Sequence, residues 1–225
     1  MSKLENLIYN KIVFFLNPKK NCDKFFNKLV EIPNEDRFKE SKRLEISKNK
    51  NGVSYDSPYE KKIINDLDKC CFVKKIKTQS LVIEYKTSKL AKKTKKYFPD
   101  IQVLLEDGRF VLIEVKPFKE MVNKHVLMKN EALRKYCRKN RYGYAIIDHD
   151  YHSFEDIKKE KVPISIQKKF ISFVKNKKEV SFEECDKFKK EYNIDDYQIC
   201  YIIYKNQKHL KYQQHLIMYK KKETK

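Results

Sequence analysis

Hydrophobic and polar positions divide the chain into three stretches with different periods. In the first, Leu4–Leu16 and Cys22–Glu31 carry apolar residues at helical spacing between polar, charge-rich segments, and Ser47–Asp56, with Asn51-Gly52, reads as a loop. This predicts a helical N-terminal lead-in over residues 1–56. A further helix is signalled by Ser57-Pro58-Tyr59-Glu60, where Ser57 is an N-cap, Pro58 takes the first helical position and Glu60 stands three residues on. Ile63, Ile64 and Leu67 continue its apolar stripe. Short β-prone runs follow at Phe72–Lys77 and Leu81–Tyr85, and then come two dense apolar runs, Ile101–Leu105 and Phe110–Val115. Both are apolar on both parities, as strands covered on two faces are. A helix over Val122–Asn140 and a buried strand over Tyr142–Ile147 complete residues 57–160 as an α/β (α+β) core, a mixed sheet flanked by helices. Beyond it, residues 161–225 predict helices at Ser165–Lys175, Ser181–Tyr192 and Asp195–Gln207, then strands at Leu210–Gln213 and Leu216–Tyr219. Three helices and a hairpin form either a winged-helix-like domain or a plain helical appendage.

Charge narrows the choice of partner. Lys and Arg number 52 against 31 Asp and Glu, a formal net charge of +21. Such a surplus suits a polyanion, because cationic side chains that neutralise phosphates release condensed counterions. A membrane surface attracts the same charge, but no run approaches the roughly 18 apolar residues of a spanning helix. Nor does the apolar start carry a cleavage site of small residues, so no signal peptide is expected. The six cysteines show no CxxC pairing and the five histidines no HExxH or finger spacing. Reduced thiols in a cytoplasmic protein are therefore expected, without structural zinc.

The chemistry concentrates in Tyr97-Phe98-Pro99-Asp100 and, after thirteen residues, Glu114-Val115-Lys116. Two carboxylates at the ends of adjacent strands can hold Mg²⁺, with Mn²⁺ as a substitute, through hard oxygen ligands. Lys116 shares a strand face with Glu114 because side chains alternate with period two. There it can orient a water or stabilise charge developing on a phosphate. The bland alternative is a hairpin that happens to end in charged residues. Against it, Glu114 interrupts a run that is otherwise buried, where a carboxylate is costly unless paired or metal-bound. The hairpin also carries a geometric condition. A two-residue turn at Asp107-Gly108 would put Asp100 opposite Val115 and hence on the other face from Glu114. A shared site therefore requires a three- or five-residue loop, or a bulge. Lys92, Lys93, Lys95 and Lys96, just before the Asp100 strand, and Lys129 in the following helix are candidate contacts to a DNA backbone. His149 and His152 invite a general-base role, although surface-loop histidines are the simpler reading.

Asp100, Glu114 and Lys116 match the PD…ExK signature of the restriction-endonuclease-like superfamily. The wider stretch from Ser57-Pro58-Tyr59-Glu60 through Lys96–Asp100 and Glu114-Val115-Lys116-Pro117 to Tyr144–Ile147 resembles the TnsA family of transposon endonucleases. The resemblance covers about residues 57–220. It implies Glu60 as a third active-site carboxylate and metal ligand, the Val115 carbonyl as a further ligand, and a winged-helix-like C-terminal domain. It also implies double-stranded DNA cut at transposon ends beside a DDE-type transposase and an ATP-dependent regulator. Glu60 has a complete structural alternative as the third residue of a capping box. Two other functions suit the same residues: a free-standing restriction-like, junction-resolving or phage nuclease, and a non-catalytic DNA-binding module on the same fold.

Overall fold

The two dense apolar runs form the centre of a four-stranded sheet. The structure, a computed structural model, describes residues 10–15, 17–33, 41–86 and 93–220. It falls into two compact units, Met1–Lys116 with Met128–Ser153, and Pro117–Leu127 with Phe154–Lys225. None of the described helices is long and apolar enough to cross a membrane.

In the first unit, α1 (Asp23–Lys28) is followed by a hairpin of β1 (Lys42–Ile46) and β2 (Asn49–Tyr55), then α2 (Pro58–Asp68) and β3 (Val73–Thr78). A small pair, β4 (Ile83–Tyr85) and β5 (Lys95–Tyr97), leads into β6 (Ile101–Leu105) and β7 (Phe110–Val115). Helix α3 (Lys124–Asn140) precedes β8 (Gly143–Ile147). The sheet order is β3-β6-β7-β8, with β7 and β8 parallel and the other neighbours antiparallel. A mixed sheet was expected here. The β1–β2 hairpin was not, since this stretch read as part of a helical lead-in ending in a loop. Its polar strand NKNGVSY carries little apolar signal and depends on its neighbours. Asn49 Nδ2 donates to the Ile76 carbonyl (3.1 Å), and the Ser54 amide donates to Thr78 Oγ1 (3.1 Å). Of the helix expected over Leu4–Leu16, residues 4–9 and 16 lie outside the described residues. In the described part Val13 bridges Tyr144 in antiparallel fashion.

Alternation sorts the sheet's side chains into two sets. Ile101, Val103, Leu105, Val111, Ile113, Val115, Ala145 and Ile147 share one core with Ile63, Ile64 and Leu67 of α2. The other face carries Leu104, Leu112 and Phe110, and two polar side chains that are scarcely exposed, Gln102 and Glu114. Burying this much aliphatic surface at roughly 25 cal/mol per Å² drives the sheet's assembly. It also fixes register, because a one-residue slip would turn the apolar set outward.

The second unit holds a 3-10 helix (Phe118–Val122), α4 (Phe154–Lys159), α5 (Ile164–Lys177), β9 (Glu179–Ser181), α6 (Asp186–Tyr192), α7 (Asp196–Lys205), β10 (Leu210–Gln213) and β11 (Leu216–Tyr219). The three strands pair antiparallel in the order β10-β11-β9. Phe170, Val174, Val180, Phe188, Ile199, Ile203 and Ile217 are buried. The helix expected over Ser181–Tyr192 begins only at Asp186. Ser181 does make the bonds of a capping box, with Glu184 N donating to Ser181 Oγ (3.2 Å) and Ser181 N to Glu184 Oε2 (2.8 Å). It heads a turn, however, and Val180 pairs with Ile217 of β11.

Candidate active site at the strand ends

The site is set by the loop between β6 and β7. Ile101 faces Ile113 and Leu104 faces Phe110, and the Leu105 amide donates to the Arg109 carbonyl (2.9 Å). Glu106, Asp107 and Gly108 therefore make a three-residue loop, closed by Gly108 N donating to Leu105 O at 2.9 Å. Gly108 adopts φ +80°, the left-handed conformation that glycine takes without strain. A Cβ there would also lie 2.8 Å from the Asn21 amide nitrogen. Carrying the register one step further sets Asp100 opposite Glu114, on the same face. The geometric condition for a shared site is met.

The side chains converge accordingly. Asp100 is 3% exposed and Glu114 1%. Asp100 Oδ2 accepts the Val115 amide at 2.8 Å, and Lys116 Nζ lies 3.4 Å from Asp100 Oδ2 and 2.8 Å from Glu114 Oε1. Lys116 also donates to the carbonyl of Val115 (2.9 Å). Tyr97, buried, donates its hydroxyl to Glu114 Oε2 at 2.6 Å. Pro99 is held by Gln102, whose Nε2 donates to the Pro99 carbonyl (2.7 Å) while its Oε1 accepts from the amide and hydroxyl of Ser80.

Glu60 sits at the start of α2 and is 5% exposed. Its amide donates to Ser57 Oγ (3.2 Å), Oε1 accepts the Ser57 hydroxyl (2.9 Å) and Oε2 accepts the Asp56 amide (2.9 Å). The cap is thus built, with the carboxylate reaching the residue before the N-cap. Glu60 nevertheless feels the site. Burial and then the charge of Asp100 push its pKa up to about 7. Burial and Asp100 also raise Glu114, against the opposing effects of Lys116 and the Tyr97 hydroxyl. Burial alone would lower Lys116, but Asp100 and Glu114 outweigh it and hold the ammonium charged well above its ordinary range. Two carboxylates thus pair with one ammonium, a third acts on it electrostatically, and the spare negative charge is opposed by burial. Among the described residues no three His, Cys, Asp or Glu side chains already converge as a metal cage.

The other candidates are distributed around this centre. Lys129 Nζ lies 5.6 Å from the centre of the Tyr97 ring. Lys93, Lys95 and Lys96 are exposed, the last two on β5, with Lys96 opposite Glu84. Lys92 lies outside the described residues. His149 stacks on Tyr59, with ring centres 4.4 Å apart, and its Nε2 lies 3.1 Å from Asp150. His152 is bonded to the buried Asp148. Tyr97 and Asp148 were missed in the sequence. Asp148 carried the same signal that singled out Glu114, a charged residue ending a run of buried ones.

A mixed sheet with two carboxylates and a lysine on one face at its strand ends is the arrangement of a restriction-endonuclease-like domain. Residues 72–149 match the family model described as TnsA-like endonuclease N terminal, about a third of the chain, and over that stretch the resemblance read from the motifs holds. No curated protein matches the chain. The matched segment contains Asp100, Glu114, Val115 and Lys116; Glu60 lies before it.

Proposed function

We propose that the protein is a metal-dependent DNA endonuclease that cuts at transposon ends. The observation that carries this reading is the pair Asp100 and Glu114, buried on one face with a single cation, Lys116, bridging the two. A site with spare negative charge and carboxylate oxygens fits a hard divalent cation such as Mg²⁺ or Mn²⁺. Asp100, Glu114 and the Val115 carbonyl would hold it, and Glu60 would join them by leaving its cap. When bound, the ion supplies charge neutralisation at the scissile phosphate and a more acidic water. Lys116 keeps its proton in this surrounding and so serves as a donor to a phosphate oxygen or the attacking water, not as a base. Tyr97 fixes the orientation of Glu114.

Lys93, Lys95, Lys96 and Lys129, with Lys92, are proposed to follow the DNA backbone, and the surplus of +21 favours such a partner. The second unit is proposed as winged-helix-like, on its helices followed by the β10–β11 hairpin. A DDE-type transposase and an ATP-dependent regulator are the proposed partners, acting with it in the cytoplasm.

The test is incubation of the protein with supercoiled plasmid carrying a candidate transposon end, in Mg²⁺ or Mn²⁺, with and without the candidate transposase, beside Asp100→Ala. Metal-dependent cutting that Asp100→Ala abolishes supports the reading. Cutting that needs neither the end sequence nor a partner would favour a free-standing nuclease. No cutting in any arm overturns the enzyme.

A further inference from the structure

A charged feature of the opposite sign lies along β3, the edge strand of the sheet. Two adjoining cavities of about 400 Å³ each open there between the β1–β2 hairpin and α1 with its following segment, and they share Asn27, Asn49 and Lys77. Both walls are fixed. Asp68 at the end of α2 accepts the Ser47 hydroxyl (2.8 Å) and the Lys48 amide (2.9 Å) from the hairpin turn, and Asn49 ties that hairpin to Ile76 of β3. On the other side Lys74 pairs with Asp23 (3.0 Å), Lys75 donates to Asn27 Oδ1 (3.1 Å) and Lys77 to the Phe26 carbonyl (2.8 Å).

The lining is nearly all of one sign. Lys48, Lys50, Lys74, Lys75, Lys77 and Arg43 line the two cavities, against one carboxylate among the described lining residues, Glu31, which Arg43 engages at 2.6 Å. Counting Asp23 and Asp68 from the flanking bonds as well, six cations still face three carboxylates. The acceptors of Lys75 and Lys77 are neutral, so they satisfy the donors without cancelling the charge. Burial and then Lys75 push the Lys77 pKa down accordingly. Holding α1 in place accounts for the three lysines of β3. It does not account for Lys48 and Lys50 on the opposite wall, where added positive charge only raises the repulsion.

The cleft leads to the active site. Thr78, at its end, faces Ile101, and the next residue, Gln79, donates its amide to the Asp100 carbonyl (3.2 Å). From Gln79 back to Lys74 the strand covers roughly 17 Å, the rise of about five base steps of duplex DNA. A cation-lined groove of that length suits a sugar–phosphate backbone, because each phosphate neutralised there releases counterions. We propose that the cleft between α1 and the β1–β2 hairpin holds the DNA backbone on one flank of the cut, with Lys48 and Lys50 contacting phosphates. Such contacts position the duplex and carry no base sequence. This rests on the endonuclease reading and adds a part of the DNA path to it.

The experiment is equilibrium binding of a fluorescein-labelled DNA duplex to the full chain in EDTA across a potassium chloride series, with melting temperatures alongside. Steady-state plasmid cleavage in Mg²⁺ follows. Lys48→Gln with Lys50→Gln weakens binding at least about tenfold, and the slope of log affinity against log salt shrinks by about 1.8, two phosphate contacts. Lys50→Gln alone, at an exposed position, removes about half of that slope. KM rises while kcat changes little. Lys48→Arg with Lys50→Arg keeps the slope. Lys20→Gln with Lys139→Gln, an equal loss of charge at exposed positions elsewhere in the first unit, leaves it unchanged. An unchanged slope and affinity in the stably folded glutamine pair, or a loss that the arginine pair or the Lys20 and Lys139 pair shares, overturns the proposal while the endonuclease stands. Wild-type protein that shows no salt-dependent DNA binding overturns the endonuclease reading as well.

Discussion

Two charged clusters in this protein use the same residue types with opposite results. In the first unit Glu60, Asp100 and Glu114 are nearly inaccessible, and the one ammonium among them, Lys116, pairs with Asp100 and Glu114. In the second, Asp186 and Asp196 meet Lys189 at 2.7 Å each, and Lys119 lies 3.4 Å from Asp196. That second cluster is balanced, two against two, and partly solvated, with Asp186 59% exposed. Its pKa shifts run the favourable way. Lys189 holds Asp186 below its usual range, and Lys189 itself is raised by its partners against a burial penalty. In the first cluster burial and like charge push Glu60 and Glu114 the unfavourable way. A balanced cluster is scaffold. One that keeps surplus charge out of water favours a counter-charge, and this surplus is the basis of the proposed cation site.

The contrast breaks most sharply on substitution. Asp100→Asn should lower plasmid cleavage at least about 10³-fold with little change in melting temperature, whereas Lys116→Ala should lower it as far and also destabilise the fold, since two buried carboxylates lose their cation. Lys189→Ala should leave cleavage intact. Equal losses from both clusters would erase the distinction.

The next effect is on stability against pH. Glu60 has its folded pKa raised from 4.5 to about 7. Its stabilising contribution is therefore complete below about pH 4.5 and is lost as pH rises through about 7, up to about 3 kcal/mol. Urea melts across that window should show the decline in wild type and a smaller one in Glu60→Gln, the remainder belonging to Glu114, which burial and Asp100 also raise. An undiminished decline in Glu60→Gln would place the strain elsewhere. With saturating Mg²⁺ the wild type should gain roughly 2.7 kcal/mol at 100 times Kd, and Glu114→Gln should lose most of that gain. Comparable stabilisation of Glu114→Gln would place the ion at another site.

Tyr97→Phe sharpens the same comparison from inside the site. Releasing Glu114 Oε2 should slow cleavage about tenfold, the value of one buried hydrogen bond to a charged group. An unchanged rate would leave Tyr97 as packing. Smallest is Lys189→Ala, which should cost no more than about 1 kcal/mol in a denaturant melt, since partly exposed pairs contribute little.

What could be read in advance followed burial. The runs Ile101–Leu105 and Phe110–Val115 announced themselves because both parities are apolar, and the charged residues interrupting them stood out for the same reason. The odd loop was required by the chemistry before its conformation was seen. Hidden features were those whose stability comes from distant neighbours. β9 exists because Val180 meets Ile217, thirty-seven positions on, while its local sequence spells a helix cap. β2 leans on Ile76 and Thr78 through polar bonds that no hydrophobic period records. Tyr97 sat within the quoted motif, yet its bond to Glu114 depends on the packing of a strand pair that periodicity alone does not orient.

The loop at Glu106–Gly108 also bears on how such a chain can diverge. Adding or removing one residue there would swap which face Asp100 presents, while a change of two would preserve it. Insertions and deletions at this turn are thus filtered by whether they are odd or even. Related sequences that keep the site should differ there in steps of two, or carry a compensating bulge on one of the strands.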